Sequence, residues 1–214
     1  RDKLVTGVQT CALPIWLNQD QLEISREEVA HLELVELPVR QRLLDPFIQP
    51  TVFLQSDHPK ISQLAAEIVR EEKDVRKAVL RIKNWVYREI AKAPTVSIPN
   101  ALEVLQTKKG DCNEHTVLFN AIARAAGIPA KTVGGVVYLR DAFYYHAWSE
   151  VWIGEWISVD SVLDQVPADA THIIPRYRKG TPGTESPRRA EPNFSPKTLK
   201  THRIARRSKC AVFS

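Results

Sequence analysis

Three side chains in the second half of the chain have the types and the order that thiol chemistry requires. Cys112 stands in Gly-Asp-Cys-Asn-Glu-His-Thr, His146 begins His-Ala-Trp-Ser-Glu-Val-Trp, and Asp160 ends Trp-Ile-Ser-Val-Asp. A thiol is a weak nucleophile until a base lies beside it, and that base needs a third group to orient its ring. Cys112, His146 and Asp160 are therefore a candidate nucleophile, base and orienting carboxylate.

The residues after Cys112 predict a helix with the thiol at its N-terminus. Apolar residues at helical spacing follow the turn-forming pair Gly110-Asp111, and Gly127 and Pro129 close the pattern. The apolar residues are Val117, Leu118, Ala121, Ile122 and Ala125. At a helix N-terminus the unpaired amides and the positive end of the dipole favour a thiolate, and the same amides point to where an oxyanion would form.

Downstream, the pattern changes to short runs rich in β-branched and aromatic residues, separated by turns at Arg140-Asp141 and Gly154-Glu155. These runs predict an antiparallel meander packed on the helix, with strands over 131–139, 144–153 and 156–162. His146 lies near the start of the second strand and Asp160 near the end of the third. A hairpin at Gly154 would bring the two close, although the spacing leaves their register open.

Two apolar stripes upstream of Cys112 predict helices that serve as core, with Pro59 just ahead of the first. The stripes are Ile61, Leu64, Ala65, Ile68 and Val69, then Val75, Val79, Ile82, Trp85, Val86 and Ile90. Farther upstream, alternating apolar residues from Leu32 to Val39 predict one or two strands, the remnant of a preceding β-rich domain.

Residues 57–172 resemble the transglutaminase-like superfamily of papain-related cysteine enzymes, above all its bacterial branch. Besides the runs at Cys112 and His146, the run Val-Asp-Ser-Val-Leu-Asp-Gln-Val-Pro-Ala-Asp-Ala-Thr-His carries the resemblance. It implies an α+β, papain-like fold, a thioacyl-enzyme intermediate and a protein or peptide substrate. It implies no metal or other cofactor, and it favours hydrolysis by a peptidase or amidase over cross-linking. The alternative is a non-catalytic module that binds a peptide or protein and keeps a vestigial triad.

The sequence leaves two details of this site undetermined. Ser161 stands where the family usually has a proline after the triad carboxylate, which predicts a looser strand end at Asp160. Papain-like sites also add an upstream side-chain donor to the oxyanion hole. Trp85, Thr95 and Asn100 are the candidates, although Trp85 also fits a core position and Asn100 also fits the N-cap of a helix over 101–106.

Other residues of the segment favour structural roles. His115 would complete a zinc set with Cys112, His146 and Asp160, but structural zinc sites usually show a second Cys or His pair at short spacing. We therefore expect a satisfied polar side chain at His115. Gly134-Gly135 within a strand predicts a bulge or a close backbone approach. Strand aromatics such as Trp148, Trp152 and Trp156 more often pack a core than line an acyl groove.

Charge is divided unevenly along the chain. Residues 175–214 carry 11 of the 30 Lys and Arg and 2 of the 25 Asp and Glu, whereas residues 1–174 carry 19 and 23. This tail is rich in Pro, Ser and Thr without any period, which predicts disorder or a frameshift. Basic tails are usually solvated, so no nucleic-acid partner is expected, and a basic patch around Arg203, Arg206 and Arg207 is the less favoured alternative.

The sequence predicts four stretches. Residues 1–15 are a non-native extension resembling adapter read-through, and residues 16–55 are an upstream remnant or linker. Residues 56–174 are the catalytic domain, and residues 175–214 are the basic tail. Cys11 and Cys210 fall in the end stretches, so Cys112 is the only cysteine of the domain and no disulfide framework is predicted. The sequence contains no run of about 18 apolar residues, so it predicts no membrane span. The compartment and oligomeric state stay open, with an extracytoplasmic location as one alternative.

Overall fold

The computed structural model describes residues 27–95 and 98–174, together with the backbone of three short strands nearer the chain ends. These strands form an antiparallel sheet in the order β1 (Ile15–Trp16), β2 (Leu22–Ser25) and β9 (Cys210–Phe213). The predicted extension over 1–15 and the predicted tail over 175–214 lie outside the described residues, apart from the strand positions just named.

Four helices follow a 3-10 helix at Arg42–Phe47. They are α1 (Pro59–Val69), α2 (Val75–Glu89), α3 (Ala101–Thr107) and α4 (Cys112–Ala125). Each begins at a side chain that accepts a hydrogen bond from a first-turn amide, since helices leave those amides unpaired. The capping residues are His58, Asp74, Asn100 and Asp111. The helices predicted from the apolar stripes are confirmed.

The main sheet has four antiparallel strands in the order β7-β6-β5-β8. They are β5 (Ala130–Leu139), β6 (Ala142–Trp152), β7 (Trp156–Val159) and β8 (His172–Ile173). The predicted meander is therefore confirmed, and β8 is an addition at its edge. Gly154 turns the second hairpin with a φ of 113°, a left-handed value that glycine adopts without strain.

Helix α4 lies at the centre of the core, in contact with α1, α2 and α3 and with β5 and β6. Its core face is fully buried and consists of Leu118, Phe119, Ala121, Ile122 and Ala123. Burying a large apolar side chain contributes about 1.5–3 kcal/mol, so this face holds the helices against the sheet. A short parallel pair, β3 (Ala91–Lys92) with β4 (Lys109–Gly110), leads into α4. The predicted α+β class is confirmed.

The prediction of one or two strands between Leu32 and Val39 is wrong. The segment makes a single β-bridge, from Glu36 to Asp74, because its backbone follows the connections between helices and not a sheet edge. The Leu37 amide donates to the Lys73 carbonyl at 2.9 Å, and the Val39 amide donates to the Gly127 carbonyl at 3.0 Å. Most apolar side chains of the segment instead contact the common core. Val39 is buried in it and Leu32, Val35 and Leu37 pack against it, whereas Leu34 is exposed.

Within residues 27–95 and 98–174, no helix has both the length and the apolar character to cross a bilayer.

Candidate active site

Cys112 is the first residue of α4 and is partly exposed to solvent. A capping box fixes this helix start, because the Asp111 carboxylate accepts from the Asn113 amide and the Glu114 carboxylate accepts from the Asp111 amide, both at 2.9 Å. The Thr95 hydroxyl donates to the second oxygen of Glu114 at 2.6 Å. The Asp-x-x-Glu spacing around the cysteine is a sequence signature of this cap.

The capping box leaves one amide available beside the sulfur. The amides of Asn113 and Glu114 donate to the Asp111 side chain, and the His115 amide donates to the Asp111 carbonyl at 3.2 Å. In the described part of the chain, the amide of Cys112 has no such acceptor. It can therefore donate to an oxyanion that forms on a carbonyl carbon bonded to the sulfur.

His146 and Asp160 come together across β6 and β7, whose register pairs Ser149 with Val159. The His146 Nε2 lies 2.6 Å from the Asp160 Oδ2, and both side chains are buried. The Cys112 side chain lies close enough to His146 to raise the pKa of its imidazole, so the structure brings together all three residues that the sequence singled out. Because Nε2 faces the carboxylate, Nδ1 is the ring nitrogen left for the sulfur.

The turn after β7 holds the Asp160 carboxylate although Ser161 stands where the family usually has a proline. Asp160 Oδ1 accepts from the amides of Val162 and Leu163 at 2.7 and 2.8 Å. The buried ammonium group of Lys83 on α2 pairs with Asp164 on the same turn. These contacts immobilise the carboxylate, so the looser strand end expected from Ser161 is not what the structure shows.

The charges of His146 and Asp160 follow from this geometry. Burial lowers the pKa of His146, but its hydrogen bond to Asp160 and the negative charges of Asp160 and Cys112 outweigh burial and raise that pKa to about 9. Burial raises the pKa of Asp160, but hydrogen bonds from His146 and His172 hold it well below its usual range. At neutral pH the site therefore contains an imidazolium ion at His146 and a carboxylate at Asp160.

A second histidine contacts the same carboxylate, and sequence reasoning missed its contribution. His172 on β8 places Nε2 2.9 Å from Asp160 Oδ2, and its side chain is 3% exposed. Its Nδ1 lies 3.3 Å from both the Oδ1 and the carbonyl oxygen of Asp169. The one signal in the sequence was that His172 ends the third run by which the chain resembles its family.

Comparison with known proteins identifies the domain. Residues 62–161, which include Cys112, His146 and Asp160, match the family described as the transglutaminase-like superfamily. This segment is a transglutaminase-like domain. The chain is 27% identical over 155 residues to the uncharacterized protein ML0607 of Mycobacterium leprae (strain TN), an alignment that covers 68% of this chain and 54% of the relative.

Two solved structures resemble the chain. A protein from Cytophaga hutchinsonii named "putative cysteine protease" has a TM-score of 0.56 and 27% identity, over 69% of this chain and 52% of its own. The periplasmic domain of TgpA from Pseudomonas aeruginosa has a TM-score of 0.47 and 23% identity, over 59% of this chain and 49% of its own. The chain thus spans about half the length of the relatives it matches.

Among the described residues, three side chains at this site have the atoms to hold a metal ion. The ligand atoms of His146, Asp160 and His172 lie within 4.8 Å of one another. The carboxylate oxygen, however, lies 2.6 and 2.9 Å from the two Nε2 atoms. Ligands of tetrahedral zinc, with bonds of about 2.0–2.1 Å, lie roughly 3.3 Å apart. The spacing of this cluster is that of hydrogen bonds.

His115, the other member of the zinc set considered from sequence, is fully buried and contacts backbone only. Its Nδ1 lies 2.7 Å from the Asp111 carbonyl oxygen, and its Nε2 lies 3.3 Å from the Ile90 carbonyl oxygen. The ring thereby links the start of α4 to the end of α2. His115 is the satisfied polar residue that the sequence predicted.

Two of the three candidate oxyanion donors in the transglutaminase-like domain are engaged elsewhere. The Thr95 hydroxyl donates to Glu114, and the Asn100 side chain caps α3 by accepting from the Glu103 amide at 3.0 Å. The prediction of an N-cap at Asn100 is therefore confirmed. Trp85 is partly buried against the core, and the Lys108 ammonium lies 4.2 Å from the centre of its ring.

Trp148 packs the site from within the sheet. Its ring stacks on His146 with centroids 6.1 Å apart and meets His172 edge-on at 5.0 Å. Trp156 is buried and contacts Phe47 edge-on at 4.9 Å. Both tryptophans therefore pack the interior, as predicted for strand aromatics, and Trp148 restricts the tilt of the two histidine rings.

Proposed function

We propose that the chain is a cysteine-dependent enzyme that cleaves amide or peptide bonds through a thioacyl intermediate on Cys112. The observation that carries this proposal is the hydrogen-bonded pair of His146 and Asp160 beside Cys112, which is the first residue of a capped helix. The resemblance to a protein named as a cysteine protease supports a peptidase or amidase over a cross-linking enzyme.

In the first half-reaction, the Cys112 thiolate attacks the carbonyl carbon of the amide and forms a C–S bond. The carbonyl oxygen gains negative charge, which the free amide of Cys112 at the N-terminus of α4 can stabilise. His146 then gives the proton on Nδ1 to the nitrogen of the leaving amine as the C–N bond breaks. This step leaves a thioester on Cys112 and a neutral imidazole at His146.

In the second half-reaction, the neutral His146 acts as the base. It accepts a proton from a water molecule while the water oxygen attacks the thioester carbon. The C–S bond breaks, and the thiolate and imidazolium are restored together with a free carboxylic acid. Asp160 holds the ring in place throughout, because Nε2 donates to its Oδ2 in both states. An amine in place of water would give transamidation.

The proposal is tested by labelling the 214-residue chain with iodoacetamide between pH 5 and pH 9 and quantifying the Cys112 peptide by mass spectrometry. Peptide analysis separates this residue from Cys11 and Cys210. We expect rapid labelling at pH 6 that falls at least about tenfold in His146→Gln, because the imidazolium no longer stabilises the thiolate. Labelling that rises only near pH 8.5, the range of an ordinary thiol, would contradict an activated cysteine.

Turnover is then measured with fluorescently labelled casein, and acceptor choice with incorporation of monodansylcadaverine into unlabelled casein. We expect peptide release that disappears in Cys112→Ala, and little incorporation of the amine. Amine incorporation as the dominant reaction would assign cross-linking in place of hydrolysis. Retained peptide release in Cys112→Ala would refute the proposed mechanism.

A further inference from the structure

His172 occupies a position that the proposed reaction does not explain. Its side chain is buried at 3% exposure between two carboxylates, Asp160 on the triad side and Asp169 on the outer side. A buried histidine needs partners for both ring nitrogens, but here both sets of partners are anionic or carbonyl oxygens. This arrangement places a second histidine in the electrostatic environment of the triad.

The contacts determine the state of the ring. Nε2 lies 2.9 Å from Asp160 Oδ2, and Nδ1 lies 3.3 Å from both acceptor oxygens of Asp169. Each nitrogen faces only acceptors, so both must carry a proton if both hydrogen bonds form. The charge of an imidazolium ion is then matched by the carboxylates on either side. Burial lowers the pKa of His172, but the hydrogen bonds that its ring donates to these carboxylates raise it overall.

Asp169 is itself well ordered for this role. Its Oδ1 accepts from the Thr171 amide at 3.0 Å, and the Gln165 side-chain amide donates to its Oδ2 at 2.8 Å. The His172 amide donates to its carbonyl oxygen at 3.2 Å. The turn that delivers His172 to the site thus also supplies the carboxylate that holds the ring.

We propose that His172 is a positioning residue, protonated between Asp169 and Asp160, which fixes the triad carboxylate and shares its negative charge with His146. This inference rests on the proposed function of Cys112 and His146. The charged groups that face His172 are Asp160, Asp169 and His146, whose ring centroid lies 5.6 Å away, with the Cys112 thiol beyond His146.

The consequence for chemistry concerns the proton on His146. A carboxylate that accepts from two imidazolium ions attracts each proton less strongly than one that accepts from a single ion. His172 therefore makes His146 a stronger acid than Asp160 alone would allow. A stronger acid transfers its proton more readily to the leaving amine in the first half-reaction. The Asp160 carboxylate also loses the rotational freedom that a single partner would leave it.

The experiment is a pH titration of the 214-residue chain labelled with 15N-histidine, followed by NMR of the ring nitrogens from pH 5 to pH 10.5. In the unmodified chain we expect His172 to be an imidazolium ion at pH 7, with its ring signals assigned as those that disappear in His172→Gln and remain in His146→Gln. In His172→Gln, which keeps a neutral N–H donor, we expect the midpoint of His146 to rise by about half a unit to one unit of pH.

His31→Gln is the matched control, because it makes the same substitution at an exposed histidine that pairs with Glu155 at 3.2 Å. It should leave the midpoint of His146 unchanged. A merely structural role for His172 would lower stability in His172→Gln without moving this midpoint, and that result would overturn the inference. If His172→Gln does not fold, a neutral His172 ring at pH 7 in the unmodified chain would overturn it equally.

The labelling of Cys112 separates this inference from the function on which it rests. If His146→Gln fails to slow alkylation, the proposed function is wrong whatever the titration shows. If His146→Gln slows alkylation but His172→Gln leaves the His146 midpoint in place, only the role of His172 is wrong.

Discussion

Gly135 on β5 lies directly opposite His146 on β6, and the strand that carries His172 passes against it without space for a side chain. A Cβ atom at Gly135 would lie 2.3 Å from the carbonyl oxygen of Ile173 and 2.6 Å from the ring of Trp148. The register from Ala130 to Leu139 is uninterrupted, so the glycine pair is not a bulge, and Gly135 marks a close backbone approach.

Replacement of Gly135 by alanine should therefore destabilise the domain. The added methyl group must displace either the β8 backbone or the Trp148 ring, and overpacking of this kind costs about 1–3 kcal/mol. Urea denaturation followed by tryptophan fluorescence measures the change. Gly134→Ala is the matched control, since nothing lies within 4 Å of a Cβ atom at that position. Equal stability of the two variants would contradict the close approach at Gly135.

The stability of the domain should depend on pH through His146. Its pKa in the folded state, about 9, lies above the ordinary value of 6.5, so protonated His146 stabilises the fold. This contribution is fully present below about pH 6.5 and is lost as the pH rises through about 9. We expect His146→Gln to lose more unfolding free energy relative to the unmodified chain at pH 6 than at pH 10, by roughly 3 kcal/mol.

Urea denaturation at pH 6, 8 and 10 provides the measurement. His31→Gln serves as the comparison, because it makes the same substitution at a histidine whose side chain is 64% exposed. A constant difference between His146→Gln and the unmodified chain across this range would show that no imidazolium–carboxylate pair forms in the folded state.

The segment ahead of α1 should contribute to the stability of the same folding unit. Leu44 in the 3-10 helix is 6% exposed within the common core, whereas its neighbour Leu43 is 90% exposed. Leu44→Ala should therefore cost about 2–4 kcal/mol of unfolding free energy, while Leu43→Ala should change it by less than about 0.5 kcal/mol. The midpoints of urea denaturation of the two variants test this directly.

A single cooperative transition in both variants is part of this expectation. If Leu44→Ala produced a separate early transition with the main one unchanged, residues 27–55 would be an independent unit. The tertiary contacts argue for one unit, because the Glu27 carboxylate accepts from both the amide and the hydroxyl of Ser158 at 2.8 and 2.9 Å.

Local signals accounted for the elements that carry the site. Helix α4 could be predicted because it contains a periodic apolar stripe, and a turn and a glycine lie immediately before and after it in the sequence. The hairpins could be predicted because Arg140-Asp141 and Gly154-Glu155 separate runs of strand-forming residues. The prediction of strands from Leu32 to Val39 was wrong because alternating apolar residues indicate only that one face of a segment is buried. A sheet is one of several structures that can bury such a face.

The sequence by itself determined the types, the order and the supporting elements of the candidate site, with Cys112 at a helix start and His146 and Asp160 on neighbouring strands. Only the tertiary structure decided the strand register that places His146 Nε2 2.6 Å from Asp160 Oδ2. Only the tertiary structure also brought His172 to the Asp160 carboxylate. The physical reason is that β8 has two residues and no periodicity of its own. Its position depends on burial summed over the whole core and on the absence of a side chain at Gly135, which lets β8 pass closely.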